Sequence, residues 1–477
     1  MRKTKVICTL GPAVDSEDML RQLIRSGMNA ARFNFSHGTH ESHLAMLQKL
    51  KSVRDTMGRP VATILDTKGP EIRIKTFAGG PINLTPGEPF ILTTRDVEGD
   101  STMVAVTYDN LHQEVGPDCV ILIDDGLVGL RVQDVQGQDI HCVVESGGPL
   151  SNNKSINIPG VHIQLPALTE KDKDDIRFGV ENDFDYIAAS FVRKASDVEE
   201  IRQVLHACGG DDVQIIAKIE NQEGVDNLDE ITAAADAIMV ARGDLGVEIP
   251  AHKVPILQKH MIKMCTSIGK PVIIATQMLD SMMRNPRPTR AEVSDVANAV
   301  FDGASCVMLS GETAGGKYPL EALQTMVRVA TEAEDSIDYW KRFRETRLPE
   351  NPGINTAISH TCCMTAMDLG AKAIVAATLS GHTARMIARF RPACPVAAMT
   401  MSEKRRRQMA LLWGVFPMMS GSVDSTDRLF ALCAECAWKE RLVDNGDIVV
   451  ITAGVPLGRT GATNLIKAHI MEVETEE

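Results

Sequence analysis

Two short apolar segments end in charged residues whose types suit an active site. The first ends with Lys218 and Glu220, and the second ends with Arg242 and Asp244. About twenty residues separate them, the length of one strand-helix-strand unit, so two neighbouring parallel strands would bring all four charges to one rim. Two carboxylates and two cations there suit a hard divalent metal ion and an anionic substrate. For either segment alone, a cluster of ion pairs at a strand end is the competing explanation.

The elements that would position these charges alternate between strand and helix. Eight predicted strands cover residues 5–10, 28–34, 61–66, 186–191, 213–219, 237–241, 272–276 and 306–309. Eight such units are the number in a TIM barrel, whose active site lies at the carboxyl ends of the strands. The sequence places polar residues at those ends, namely Thr9, Arg32, Asn34, Asp66, Lys218, Glu220, Arg242, Asp244, Thr276, Ser310 and Glu312.

This α/β pattern is interrupted once and is followed by a further domain. Residues 71–166 carry Val, Ile and Thr runs broken by turn residues, which predicts an inserted all-β lid domain over the rim. Residues 1–70 and 167–345 then form the predicted TIM-barrel domain. Residues 346–477 predict a separate C-terminal α/β domain. Its strands are expected at residues 373–378, 395–400, 447–453 and 465–472.

Composition is that of an ordinary globular protein and argues against two classes of partner. The 477-residue chain has a net charge of -13, which argues against general nucleic-acid binding but not against a local anion site. No apolar run is long enough to cross a bilayer, and the first residues suit a strand better than a signal peptide. Its 11 cysteines are scattered, which suits a reducing compartment. We therefore expect a cytoplasmic protein with no nucleic-acid or membrane partner.

Ordered motifs along nearly the whole chain resemble the pyruvate kinase family in its bacterial form. The resemblance implies a barrel, a β lid and a C-terminal α/β domain. It also implies transfer of a phosphoryl group from phosphoenolpyruvate to ADP, which gives pyruvate and ATP in the last step of glycolysis. Family members are usually homotetramers, so the same assembly is expected here. The motifs occupy residues 9–12, 34–38, 65–73, 218–221, 239–246, 275–282, 308–313 and 461–464.

The resemblance assigns the charged rim to catalysis. Glu220 and Asp244 match the family's protein ligands for Mg²⁺ or Mn²⁺, and two carboxylates leave coordination sites for substrate oxygens. Lys218 matches the cation beside the transferring phosphoryl group and the developing enolate. Arg32 and Arg73 match phosphate-binding arginines, whose paired donors suit phosphate oxygens.

A turn after the sixth strand matches the site of the substrate carboxylate. The backbone N–H groups of Gly243 and Asp244 would hold the carboxylate, and glycine permits its close approach. Thr276 lies beside this turn in the family. With Ser310 and Glu312 it is linked to the proton path toward the enolate carbon, and bonding to the carboxylate is its alternative role.

The resemblance also implies sites for a monovalent cation and for the nucleotide. A Glu at position 71 goes with K⁺ dependence in the family, and Ser155 stands where the family usually has Gly. The expected K⁺ ligands are Asn34, Ser36, Asp66 and Thr67. The expected contacts to the phosphates of ADP or ATP are Asn34, His37, Arg73 and Lys154.

A strand end, a turn and a helix start in the C-terminal domain match the family's effector-phosphate segment. Free N–H groups and hydroxyls at a helix start make an anion site, and a plain N-capped helix is the alternative. The expected ligand is a sugar monophosphate or AMP. Nearby, the run of three arginines at residues 405–407 is expected to be a solvated helix face. The expected effector residues are Thr378, Ser380, Gly381, His382, Thr383 and Arg459.

Two other functions use the same residues. A Mg²⁺-dependent barrel lyase or phosphomutase could use Glu220, Asp244 and Arg32 without a lid, K⁺ or ADP. A sensor that binds only an effector would not need Lys218 or Thr276. Turnover without ADP would favour the lyase, and effector binding without turnover would favour the sensor.

Overall fold

The barrel predicted from the strand-helix alternation is present. A computed structural model describes residues 1–457 and 463–472. Eight parallel strands close into a barrel, because the first strand pairs with both the second and the last. The barrel strands are Lys5–Thr9, Ala30–Asn34, Ala62–Asp66, Tyr186–Ala189, Gln214–Ile219, Ala237–Ala241, Val272–Ala275 and Cys306–Leu309.

Helices surround the barrel and bury its apolar outer face. Their ends carry local stop and start signals: Thr39 and Thr289 form capping boxes, and Gly27, Gly58 and Gly269 end helices in the left-handed conformation. The helices are Glu17–Ser26, His40–Met57, Glu170–Glu181, Ala195–Ala207, Gln222–Asp226, Leu228–Ala234, Arg242–Glu248, Val254–Ile268, Arg290–Asp302, Gly311–Ala314, Pro319–Asp335 and Tyr339–Glu345.

The inserted segment is an all-β unit with its own apolar core, as its composition predicts. It contains a seven-stranded sheet, a two-stranded sheet and the short helix Leu111–Glu114. Hydrogen bonds attach it to the barrel: Arg193 donates to the Ile163 and Leu165 carbonyls, and the Asn157 amide donates to Glu248 at 2.9 Å. Its strands are Ile72–Arg73, Ile82–Leu84, Pro89–Thr93, Met103–Ala105, Val120–Ile123, Val128–Gln136, Asp139–Ser146, Gly148–Leu150 and Ser155–Asn157.

The C-terminal unit is a five-stranded sheet with helices packed against it. Four strands are parallel, and the last is antiparallel at one edge. The strand Val415–Met419 at the other edge was not predicted. The strands are Ala373–Ala377, Val396–Thr400, Val415–Met419, Ile448–Gly454 and Thr463–Ile470, and the helices are Ile354–Asp368, His382–Ala388, Glu403–Gln408 and Thr426–Lys439.

The C-terminal unit closes the amino-terminal end of the barrel. Leu411 packs inside the barrel with residues such as Ile64 and Met239. Tyr186 and Cys306, each the first residue of its strand, donate to the backbone carbonyls of Gln408 and Leu411. The barrel interior is therefore filled at its amino-terminal end, so a ligand would enter from the carboxyl end.

The expectation of a solvated Arg405–407 face is wrong for Arg407. Its guanidinium is buried and lies 2.9 Å from Asp185 and 2.7 Å from Asp183. Asp185 immediately precedes a barrel strand and is itself fully buried. The helix packs on this end of the barrel, and the charge of Arg407 compensates the buried carboxylate.

Candidate active site

Lys218 is the centre of a buried cluster at the carboxyl end of the barrel. Its Nζ lies 3.1 Å from Asp66 Oδ1, 2.9 Å from Glu220 Oε1 and 2.7 Å from Ser190 Oγ. Three neighbouring strands contribute these groups. The structure thus brings Lys218 and Glu220 together, as their spacing predicts. It adds Ser190, which sequence reasoning missed and for which the only available signal was its position just after a barrel strand.

The electrostatics of this cluster keep Lys218 charged. Burial alone would lower the pKa of Lys218, but the Asp66 and Glu220 carboxylates outweigh it and raise the pKa above its usual value. Burial raises the pKa of Glu220 to about 7; the Asp244 charge adds to this, and Lys218 opposes it. Glu220 also accepts a hydrogen bond of 2.6 Å from the Phe191 N–H. A fixed positive charge therefore stands where the barrel opens.

Asp66 joins Lys218 to a second cation. Arg32 donates through Nε to Asp66 Oδ2 at 2.5 Å and through its terminal nitrogen to Thr9 Oγ1 at 3.1 Å. Burial would raise the pKa of Asp66, but Arg32 and Lys218 lower it below its usual value. Asp66 thus stays ionised and holds two cations side by side, an arrangement suited to a phosphoryl group.

The residues expected at the K⁺ site lie at the ends of two adjacent strands. Asn34 and Asp66 are partners in the parallel ladder. Asn34 Oδ1 accepts from the exposed Ser36 N–H at 3.2 Å, and the buried Thr67 donates its N–H to the Ala188 carbonyl. His37 is exposed in the same loop. The expected K⁺ ligands thus lie at neighbouring strand ends, and one of them, Asp66, belongs to the Lys218 cluster itself.

Asp244 and Gly243 stand at the start of the helix Arg242–Glu248, next to the last residue of a barrel strand. Asp244 lies close enough to Glu220 to raise the pKa of that carboxyl. A Cβ at Gly243 would lie 2.8 Å from Thr276 Cγ2, so any side chain there would displace Thr276. The expected carboxylate site and Thr276 are therefore neighbours.

Arg242 has a different environment from that expected of a substrate-facing cation. Its guanidinium donates to the Ala275 carbonyl at 3.1 Å and the Thr276 carbonyl at 2.7 Å, and it pairs with Asp295 at 2.7 Å. Thr276 has φ of +72°, which is rare for a β-branched residue. Arg242 therefore holds a strained segment of the rim, and Lys218 and Arg32 are the cations of the central cluster.

Glu312 fixes the other side of the same segment. Its carboxylate accepts from the Leu279 N–H at 3.0 Å and from the Ser310 N–H at 2.7 Å. Burial raises the pKa of Glu312. Glu312 is thus tied to two backbone amides, one of them in the segment that follows Thr276.

Arg73 and Lys154 belong to the lid side of the site. Arg73 is paired with Glu71 at 2.7 Å and donates to the Asn153 carbonyl at 2.6 Å, while Lys154 pairs with Asp124 at 2.9 Å. Within residues 1–457 and 463–472, the structure does not join either cation to the Lys218 cluster. Ser155, in place of glycine, pairs with Arg73 in an ordinary antiparallel ladder.

In the C-terminal unit, Thr378, Ser380 and Thr383 line a cavity of about 410 Å³. Thr378 Oγ1 accepts from the Gly381 N–H at 3.0 Å, and the Thr383 hydroxyl lies 2.7 Å from that of Thr463. His382 does not line this cavity; its Nδ1 faces Arg385 at 3.3 Å. Arg459 lies outside the described residues.

Comparisons with known proteins agree along nearly the whole chain. Residues 1–323 match the family model described as pyruvate kinase, barrel domain, and residues 356–469 match pyruvate kinase, alpha/beta domain. The pyruvate kinase of Sporosarcina psychrophila is 51% identical over 473 residues, covering 99% of this chain and 81% of that protein. The pyruvate kinase of Clostridium acetobutylicum is 49% identical over 473 residues, covering 99% and 100%. That of Geobacillus stearothermophilus is 50% identical over 472 residues, covering 98% and 80%. This chain belongs to the pyruvate kinase family.

Proposed function

We propose that this chain transfers the phosphoryl group of phosphoenolpyruvate to ADP and then protonates the enolate to pyruvate. The observation that carries the proposal is the buried Lys218, held between Asp66 and Glu220, with Arg32 bound to the other oxygen of Asp66. Phosphoryl transfer depends on positioning and charge neutralisation more than on covalent help from the protein. Two adjacent cations in a buried site supply both.

Glu220 and Asp244 are the residues that would hold Mg²⁺ or Mn²⁺. Their fit rests on the donor chemistry: each offers hard carboxylate oxygens, and the charge of Asp244 disfavours ionisation of Glu220. A divalent cation between the two would relieve that repulsion. Such an ion, when bound, supplies Lewis-acid polarisation of the enolate oxygen.

The remaining rim residues orient the substrate. The Gly243 and Asp244 N–H groups would bind the carboxylate, with the hydroxyl of Thr276 beside it. Lys218 and Arg32 would bind the phosphoryl oxygens. The terminal phosphate oxygen of ADP then forms the new P–O bond as the bond from phosphorus to the enolate oxygen breaks. The enolate carbon takes up a proton on the side of Thr276.

The first experiment is pyruvate formation from phosphoenolpyruvate and Mg²⁺, with and without ADP, in K⁺ buffer and in Na⁺ buffer. Turnover that requires ADP supports the kinase. Turnover without ADP would favour a lyase, and no pyruvate under any condition would contradict the proposal. A sharp fall in Na⁺ supports a K⁺ site formed by Asn34, Ser36, Asp66 and Thr67. Equal rates in the two buffers would remove that site and leave the kinase.

The nucleotide is proposed to lie between barrel and lid. His37 and Asn34 stand on the barrel side, and Arg73 and Lys154 stand on the lid side, where Glu71 and Asp124 now hold them. Lys154→Met should raise KM for ADP and leave KM for phosphoenolpyruvate unchanged. The reverse pattern would contradict this assignment.

Allosteric activation by a sugar monophosphate or AMP is proposed at the C-terminal cavity. Support comes from its hydroxyl lining of Thr378, Ser380 and Thr383 and from the helix start beside it. Activation curves for several sugar monophosphates and AMP should shift to higher concentration in Thr378→Val. Unchanged curves would exclude this cavity as the effector site.

A homotetramer in the cytoplasm is proposed by resemblance. Two features support self-association: among the described residues no strand pairs with the outer side of Thr463–Ile470, and Ile470 and Ile354 are 58% and 71% exposed. Light scattering should give about four times the chain mass of 51.9 kDa. A monomer mass would contradict this.

In the part of the chain that the structure describes, no helix is both long and apolar enough to span a membrane.

A further inference from the structure

A cationic crevice lies between the barrel and the C-terminal unit, away from both sites described above. Its charged lining consists of Lys270 from the barrel and Arg385, Arg389 and Arg391 from the C-terminal unit, and Trp413 forms part of its wall. Among the described residues, no carboxylate lines it. Four cations without an anion are unexpected in a chain whose net charge is -13.

Two of the four cations already have protein partners. Lys270 Nζ donates to three backbone carbonyls near the end of the helix Leu228–Ala234, at 2.5 to 2.7 Å. Arg391 donates to the Gly303 carbonyl at 2.7 Å and stacks on the Trp413 ring at 4.6 Å. Asp236 lies outside the crevice and attracts the charge of Lys270, but it is already paired with Arg202. Lys270 and Arg391 therefore form part of the wall of the crevice.

Arg385 and Arg389 are less fully paired, and Arg391 also keeps a buried Nε without a partner. Among the described residues, the Arg385 side chain has one hydrogen-bond contact, from a terminal nitrogen to the His382 ring. Its Nε is buried without a partner. Arg389 has no side-chain hydrogen bond or ion pair within the described residues, and its guanidinium only stacks on Phe390 at 5.1 Å. Burial lowers the pKa of Arg389, and no carboxylate offsets that effect. The Nε groups of Arg385 and Arg391 are buried without an acceptor, which is costly, and the half-buried guanidinium of Arg389 is open to a ligand. Together they point to an acceptor that is not part of the chain.

The two sides of the crevice are in close contact. Gly269 ends the barrel helix Val254–Ile268 with φ of +75°. A Cβ there would lie 3.3 Å from the Arg385 carbonyl and 3.4 Å from Arg389 Cβ. The helix His382–Ala388 thus begins beside the effector cavity and ends on this turn of the barrel. A ligand in the crevice would touch both units.

We propose that Arg385 and Arg389 bind a phosphate-type oxyanion in this crevice. Its source is either inorganic phosphate or the phosphate group of a small monoester. Guanidinium forks bind such oxygens in pairs, which would satisfy the unused donors. This site is separate from the active site and does not depend on the catalytic assignment.

Trp413 provides a local reporter of the crevice. The chain has three tryptophans, so Trp340→Phe with Trp438→Phe leaves Trp413 alone. In this background, inorganic phosphate and glycerol 3-phosphate are titrated in turn at constant ionic strength, with KCl as the ionic control. A saturable change in Trp413 emission is expected with at least one of them, and their relative affinities distinguish free phosphate from a monoester. Arg389→Gln should weaken the response about tenfold or more, since it removes a charged donor.

Matched variants make the result specific. Arg428→Gln removes an exposed arginine of the same unit and should leave the titration unchanged. Arg385→Gln should act as Arg389→Gln does, and basal turnover of each variant reports that the chain is folded. A titration that is absent, that KCl reproduces, or that survives both Arg385→Gln and Arg389→Gln would overturn the proposal.

Discussion

Replacing Arg242 with Met should slow turnover much more than it weakens substrate binding. Arg242 bonds the Ala275 and Thr276 carbonyls and pairs with Asp295. Each charged hydrogen bond contributes about 1.5–3 kcal/mol. The left-handed backbone of Thr276 costs about 1–3 kcal/mol. Without Arg242, Glu312 still holds the segment at Leu279, but nothing among the described residues offsets the strain at the Thr276 carbonyl, so Thr276 should relax away from Gly243. A loss of about 1.4–2.8 kcal/mol of positioning lowers kcat by roughly 10- to 100-fold.

Steady-state kinetics with phosphoenolpyruvate and ADP, beside a urea denaturation curve, measures this. Asp295→Asn is the matched control, because it leaves both carbonyl bonds of Arg242 in place. It should change kcat by less than about fivefold, under 1 kcal/mol. Arg242→Lys, which keeps one donor near the carbonyls, should be intermediate. If Arg242→Met folds normally and retains kcat within about threefold of the original, Arg242 does not position Thr276 for the reaction.

Three further predictions concern the central cation and the contacts at the amino-terminal end of the barrel. Lys218→Met should abolish nearly all turnover with the fold and Mn²⁺ binding retained; activity within about tenfold, or ~1.4 kcal/mol of barrier, would remove Lys218 from the mechanism. Burial lowers the pKa of Lys5 to about 7, whereas an unfolded lysine titrates near about 10.4. Unfolding therefore takes up a proton between these values, and the free energy of unfolding should rise with pH from 7 to 10. Lys5→Met should flatten that rise in urea titrations, and equal slopes would contradict the burial argument. Arg407→Met leaves the buried Asp185 charge unpaired and should cost about 3–5 kcal/mol of stability; adding Asp185→Asn should recover part of it, and a neutral single variant would show that the pair contributes little.

The alternation of strands and helices predicted the barrel because each barrel strand is short, apolar and followed by a polar end. The strand Val415–Met419 escaped prediction because Pro417 lies inside it. Proline removes a ladder donor and normally argues against a strand. Here the strand is at the edge of its sheet, where one side needs no partner. Whether such a segment is an edge strand or a loop depends on the strand beside it, and the local sequence does not reveal that neighbour.

The residues of the site likewise fall into those that the sequence predicts and those that it does not. Motif spacing brought Lys218, Glu220 and Asp66 to one rim because strand ends are fixed by the barrel. The direction of a long side chain at that rim is decided by tertiary contacts instead. Arg242 and Arg407 both lie beside charged or polar runs, and both prove to hold backbone or carboxylate groups from another element. Residue type alone could not separate these roles from substrate binding or solvent exposure.

The segment between Thr400 and Leu411 gives the C-terminal cavity a direct connection to the barrel. Thr400 lines the cavity, and the helix after it carries Arg407, which binds Asp185. Asp185 precedes the barrel strand that ends beside Ser190. The hydroxyl oxygen of Ser190 accepts a hydrogen bond from the Lys218 ammonium group. Strands and buried ion pairs transmit a displacement as rigid units, because packed interiors do not deform continuously. If the proposed effector displaced Thr400, Arg407 and Asp185 would link that displacement to the barrel strand that ends beside Ser190.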